Sequence, residues 1–312
     1  MTVPPPAPDS CTKVTPECPV EGTIYGYYPS LEWNTAYASF FGLALVIHII
    51  LGIRYKTWSY CIAVSLGCIG EVIGYIGRVM MWDNPFSEAG FQMQICCLII
   101  APAFISAAIY LTLKHIVYSF GTSWSRLRPT WYTWIFIGCD LLSLVLQGAG
   151  GGIAATADFG SDLQDIGTDI MLAGVVWQVV CLTLFGYFLS EYLVRTYRHR
   201  NEIGCDGIEL LHDRKFQCFV GAIITAYVTI LARCAYRIPE LSSGWRSELM
   251  REEVEFIVLE GAMIVIAVAA LTVFHPGYCF PVLATGKPSE GPKSMTDVDE
   301  GIRLDNIALA ET

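Results

Sequence analysis

The chain has 312 residues, 54% of them hydrophobic and only 15% charged, with a net charge of −10. Soluble proteins carry roughly a quarter charged residues, and a water-soluble fold of this length could not hide so much apolar surface. The acidic balance also excludes a nucleic-acid binder, which needs clustered Lys and Arg.

A polar segment, residues 1–34, comes first. It opens with Pro4-Pro5-Pro6 and carries Asp9, Glu17, Glu21 and Glu32. No short apolar region precedes a cleavage site, so the first helix is expected to act as an uncleaved signal-anchor. Crossing a bilayer takes roughly 20 mostly apolar residues in a helix. Seven stretches qualify: Thr35–Ile53, Trp58–Trp82, Phe91–Leu113, Trp131–Ala154, Ile166–Tyr192, Phe216–Ile238 and Val254–Phe274. None alternates like a barrel strand. The expected fold is therefore an all-α, seven-helix transmembrane bundle over residues 35–277, followed by a polar tail, 278–312, expected to be disordered.

Lys and Arg fix the expected orientation. Thirteen of the 19 follow helices one, three, five and seven, among them Arg54, Lys56, Arg195, Arg198 and Lys215. Only Lys13, Arg246 and Arg251 fall on the other side, where the loops carry Asp83, Glu88, Asp158, Asp162 and Asp165. This places the N-terminus outside and the C-terminus and tail in the cytoplasm. Cys11 and Cys18 share the outer segment, and an oxidising compartment permits a disulfide between them. Most other cysteines sit in apolar runs, where a thiol acts as a small hydrophobe, and no spacing suggests a zinc site.

Ionisable groups inside a bilayer need a partner or an aqueous cavity. Helix two carries Glu71, Tyr75 and Arg78 on one face, beside a glycine seam (Gly67, Gly70, Gly74, Gly77) that lets another helix approach. Helix four carries Asp140, Ser143 and Gln147, and helix five Asp169, Gly174 and Gln178. Helix six carries Arg233, Tyr236 and Arg237. Glu240 would extend that face, but Pro239 is expected to end the helix first. Helix seven carries Glu253 and Glu260, one heptad apart. Taken together they suggest a polar cavity at outer-leaflet depth, floored by Glu71, Asp140 and Gln178; the alternative is that the same charges only fix helix packing. Pro102 should kink helix three, and His48, without a metal-spaced partner on its helix, is expected to be a packed or lipid-edge residue.

The ordered set of motifs resembles the fungal lipid-translocating exporter family, the seven-helix proteins named for resistance to aminocholesterol. The resemblance is carried by Tyr27-Tyr28-Pro29-Ser30, by Glu71 to Arg78, and by Ala101-Pro102 with Ala107, Ala108 and Tyr110. It continues through Asp140, Ser143 and Gln147 with the triple glycine, Gly174 and Gln178, Arg233, Tyr236, Arg237 and Glu240, then Glu253, Glu260, Met263 and His275-Pro276-Gly277. It spans roughly residues 25–277. It implies a plasma-membrane protein linked to export or flipping of sphingoid bases and related lipids, or to drug resistance; one branch is associated with porphyrin uptake and haem efflux. The family more often carries Asp at the position of Glu260. Residues that would meet the ligand are Glu71, Tyr75, Arg78, Asp140, Gln147, Gln178, Arg233, Arg237, Glu240 and Glu260.

The leading expectation is a translocator whose partners are membrane lipids and an amphipathic small molecule, with no cofactor, no metal and no nucleic acid. No phosphate loop is present, since Gly286-Lys287 is followed by Pro288. The alternative is a seven-helix receptor or a regulator of stress or drug response, though helix three ends Leu113-Lys114-His115 and helix seven lacks lysine. An enzyme is not expected, because no intramembrane histidine cluster or activated nucleophile is legible.

Overall fold

The computed structural model describes residues 11–120, 129–157, 161–199, 213–244 and 247–279. All seven expected spans are helices, and no strand forms among the described residues. They are α1 (Leu31–Tyr55), α2 (Trp58–Asp83), α3 (Glu88–Phe120), α4 (Pro129–Thr156), α5 (Asp162–Arg198), α6 (Arg214–Ser242) and α7. The last is composite: Glu253–Glu255 is α-helical, Phe256–Ala262 adopts π geometry, and Met263–Val273 returns to α. Seven helices are long and apolar enough to cross a membrane, and the protein is an integral membrane protein. Of the expected disordered tail, residues 280–312 lie outside the described residues.

The helices outrun their apolar windows because backbone hydrogen bonding continues wherever polar side chains can cap it. Ser161 accepts from the Gln164 N–H at the start of α5, where Asp162 and Asp165 complement the helix dipole, and Arg195 and Arg198 do so at its end. Asp213 caps α6 through the Lys215 N–H. That helix also continues through Pro239 to Ser242, correcting the expectation that proline ends it. The lost hydrogen bond falls in the last turn, and the Ser243 N–H donates to the Pro239 carbonyl at 3.1 Å.

Each helix packs on its chain neighbours, α7 closes the ring against α1, and α3 meets α6 across the middle. The glycine seam of α2 serves α3. At Gly77 a Cβ would lie 2.6 Å from the Gly90 carbonyl oxygen, so the backbones touch only because neither residue has one. Gly150 of α4 does the same for α5, with the Gly167 oxygen 2.6 Å from its would-be Cβ. Large apolar side chains such as Leu43, Ile50, Ile53, Leu141 and Val145 face outward, while Glu71, Arg78, Asp140, Arg233, Arg237 and Glu260 face inward. That reversal of soluble-protein patterning fits a lipid surround.

The π segment has a visible packing partner. The Tyr37 ring lies against Gly261, where any Cβ would collide with it, and its hydroxyl donates to the Ile257 carbonyl at 2.9 Å. Because a π turn advances less per residue than an α turn, Glu253 and Glu260 do not share one face as their heptad spacing suggests.

Residues before α1 fold over one end of the bundle. A disulfide joins Cys11 to Cys18. The Asn84 side chain donates to the Thr12 carbonyl, and Arg251 donates to that of Glu21. Gly26, at φ +71°, turns the chain tightly over the Arg251 guanidinium.

Candidate functional site

Beneath this N-terminal cover lies a buried charge cluster. Arg78, Arg233, Arg237, Glu71, Glu240 and Glu260 are each at most 5% exposed. Glu260 stands in the π segment, and a single oxygen, Oε1, accepts from both Arg233 and Arg237, the latter at 2.6 Å. Arg237 also donates to Glu240 at 3.0 Å. The continuation of α6 through Pro239 is what keeps Glu240 one turn from its partner. Arg233 donates in addition to the Leu98 carbonyl of α3, tying three helices together.

Arg78 belongs to a neighbouring group. It donates to the Tyr27 hydroxyl at 3.2 Å, lies 3.9 Å from Glu253, and stacks over the Phe256 ring at 3.8 Å. Glu253 also accepts from the Ser30 N–H. Tyr25 covers the group and accepts from Gln94 at 2.9 Å. Burial pushes the Tyr25 and Tyr27 phenols up from their ordinary range, so both stay neutral.

Glu71 is treated differently from Glu240 and Glu260, the other buried carboxylates of this cluster. Among the described residues it forms no ion pair, and its Oε1 is buried without a hydrogen-bond partner. It lies within electrostatic range of Arg233, Arg237 and Glu260. Glu260 Oε2 and the Tyr75 hydroxyl are also buried and unpartnered. The Tyr75 ring is fixed by stacking on Phe41, with centroids 5.9 Å apart, and by Tyr37 at 5.1 Å. Each guanidinium already has a carboxylate, so the uncommitted capacity for charge pairing lies on Glu71. Chemically, two bare carboxylate oxygens and a phenol suit an ammonium group, which has three donors and no acceptor.

Asp140 lies in a second group. Ser106 and Tyr110 of α3 donate to its Oδ2 at 2.9 and 3.0 Å, leaving Oδ1 buried and unpartnered. Gln147 of α4 donates to Gln178 of α5 at 3.1 Å.

The sequence-derived set is thus divided between two groups. Glu71, Tyr75, Arg233, Arg237, Glu240 and Glu260 meet at the first, with Arg78 beside them. Asp140, Gln147 and Gln178 belong to the second. The side chains of both groups are buried, each at most 5% exposed. Asp169 is exposed on the outer surface of the bundle. Sequence reasoning missed Tyr25, Gln94, Ser106 and the Leu98 carbonyl, none of which carries a charge that hydropathy would flag. It also missed the partner of His48, which is fully buried against His275 with ring centroids 5.7 Å apart.

A seven-helix bundle with paired arginines and glutamates in its core defines a membrane protein built around buried charge. A family model described as "RTA1 like protein" matches residues 64–282, and the chain belongs to that family. It is 32% identical over 290 residues to the sphingoid long-chain base transporter RSB1 of Saccharomyces cerevisiae, covering 84% of this chain and 76% of the relative. It is 28% identical over 208 residues to protoporphyrin uptake protein 1 of the same yeast, with 66% and 65% covered. Against the yeast protein RTM1 it is 26% identical over 225 residues, with 70% and 69% covered. No solved structure matches.

Proposed function

We propose that this protein translocates an amphipathic cation of the sphingoid-base class across the plasma membrane, with its N-terminal segment outside. The observation that carries the reading is Glu71, a buried carboxylate left out of the arginine pairing. A long-chain base joins a hydrocarbon tail to an ammonium head. The head would exchange its water for Glu71 Oε1, Glu260 Oε2 and the Tyr75 hydroxyl, while the tail stays in apolar surroundings. An ion in low dielectric persists only with such partners.

The relatedness to a protein named as a sphingoid long-chain base transporter, over most of both chains, supports the same reading. The excess of Lys and Arg on alternate loops supports the orientation. Movement requires the closed cluster to open, and the Arg233–Glu260 and Arg237–Glu260 links between α6 and α7 are the contacts that would have to exchange. The chain acts without covalent chemistry in this account, and its carboxylates bind rather than react.

The test is uptake and release of a labelled sphingoid base by proteoliposomes containing only this protein. Movement above that of empty liposomes supports translocation. No movement with folded protein overturns it and leaves a receptor or regulator as the better reading.

A further inference from the structure

The far end of the bundle holds a separate feature. Where α1 turns into α2, a cleft of about 210 Å³ opens between the turn and α3. Lys56, Thr57, Trp58, Ser59 and Tyr60 line one wall, and Thr112 and His115 the other. None of the described lining residues is acidic.

Four observations converge on the chemistry of this cleft. First, α2 starts here, so the N–H groups of Trp58, Ser59 and Tyr60 precede the first intrahelical bond, and the 26-residue helix adds its positive dipole end. Second, Thr57 stands at the cap position but does not cap: its side chain makes no hydrogen bond to the helix. It is only 3% exposed, and its Oγ1 is buried without a partner. A buried hydroxyl without a partner is destabilising, so the position asks for one. Third, Lys56 is the single non-glycine residue with positive φ among those described, at +56°. Glycine would relax that conformation, yet the position carries an exposed cation at the cleft mouth. Fourth, Trp58 is 55% exposed beside the cleft, as an aromatic at a membrane–water boundary would be.

We infer that this cleft is a binding site for a phosphate or phosphomonoester group, held by the first-turn N–H groups of α2, the Thr57 hydroxyl and Lys56. Free helix N–H groups with a dipole are a general anion cradle, and the Thr57 hydroxyl, which accepts from none of them, keeps its proton to donate to an anion. The site stands apart from the charge cluster, so it does not depend on the transport reading. The phosphate can arrive as a lipid headgroup or as free phosphate.

The test uses the full-length protein in neutral detergent, titrated separately with short-chain phosphatidic acid and with inorganic phosphate. Two variants accompany it. Lys56→Gly removes the charge while suiting the backbone, and Thr57→Val removes only the hydroxyl; both are expected to melt at or above the wild-type temperature. Binding that weakens tenfold or more in both variants supports the site. Phosphatidic acid binding at least tenfold tighter than inorganic phosphate then assigns a lipid source, and equal affinity assigns free phosphate. Absence of binding by either probe, or wild-type affinity in both variants, overturns the site.

Discussion

The two ends of the bundle solve the burial of polar groups in opposite ways. Under the N-terminal cover, three arginines are neutralised by carboxylates drawn from α6 and α7, and one carboxylate, Glu71, is left over. At the other end His48 and His275 face each other with no carboxylate between them. Hydrogen bonding assigns one nitrogen on each ring, a donor on His48 and an acceptor on His275. Thr272 gives its hydroxyl proton to the Val268 carbonyl, so it accepts from His48 Nε2 at 2.9 Å. His275 Nδ1 accepts from the Gly277 N–H at 3.1 Å. Tyr60 packs edge-on against His275, at 5.2 Å, and closes the group. Charge is thus concentrated where exchange of partners can be useful, and the opposite end is held by neutral packing. Breaking a charged pair therefore costs far more than trimming a histidine.

The largest effect is expected from Arg237→Ala. It leaves Glu240 unpaired and Glu260 short of one donor, and removing one member of a buried pair costs about 3–5 kcal/mol. Folded yield and melting temperature in detergent should fall sharply; a wild-type melt would mean the cluster is solvated. Gly77→Ala comes next, because its Cβ would press on the Gly90 carbonyl. Overpacking of this kind costs about 1–3 kcal/mol, and a differential melt would read it. A smaller loss, about 1 kcal/mol, is expected for His48→Phe, which forfeits one neutral hydrogen bond but keeps the aromatic packing. Should His48→Phe destabilise as much as Arg237→Ala, the contrast between the ends would fail. Glu71→Gln should change stability least, since no ion pair is lost, while removing the charge that an ammonium needs.

Much of this architecture was legible in the sequence. Apolar runs located all seven spanning helices, and the glycines of α2 announced the close approach of α3, because both signals are local. The pairing inside the bundle was less legible. Glu253 and Glu260 stand one heptad apart, yet they serve different partners, Glu253 beside Arg78 and Glu260 with the arginines of α6. Nothing in Phe256–Ala262 advertises its π geometry, which goes with a wedge from Tyr37 on a different helix. Pro239 was a sound local stop signal, overridden because only the last turn lies beyond it. The isolation of Glu71 could not be read at all, since it depends on which carboxylate each arginine reaches.

The most direct measurement is the rate of labelled sphingoid-base movement per folded molecule in proteoliposomes, wild type against Glu71→Gln. The account predicts that the variant melts like wild type and moves the base no faster than empty liposomes. A Glu71→Gln protein that folds normally and transports at the wild-type rate would contradict it, and would leave Glu71 as no more than a packed carboxyl group.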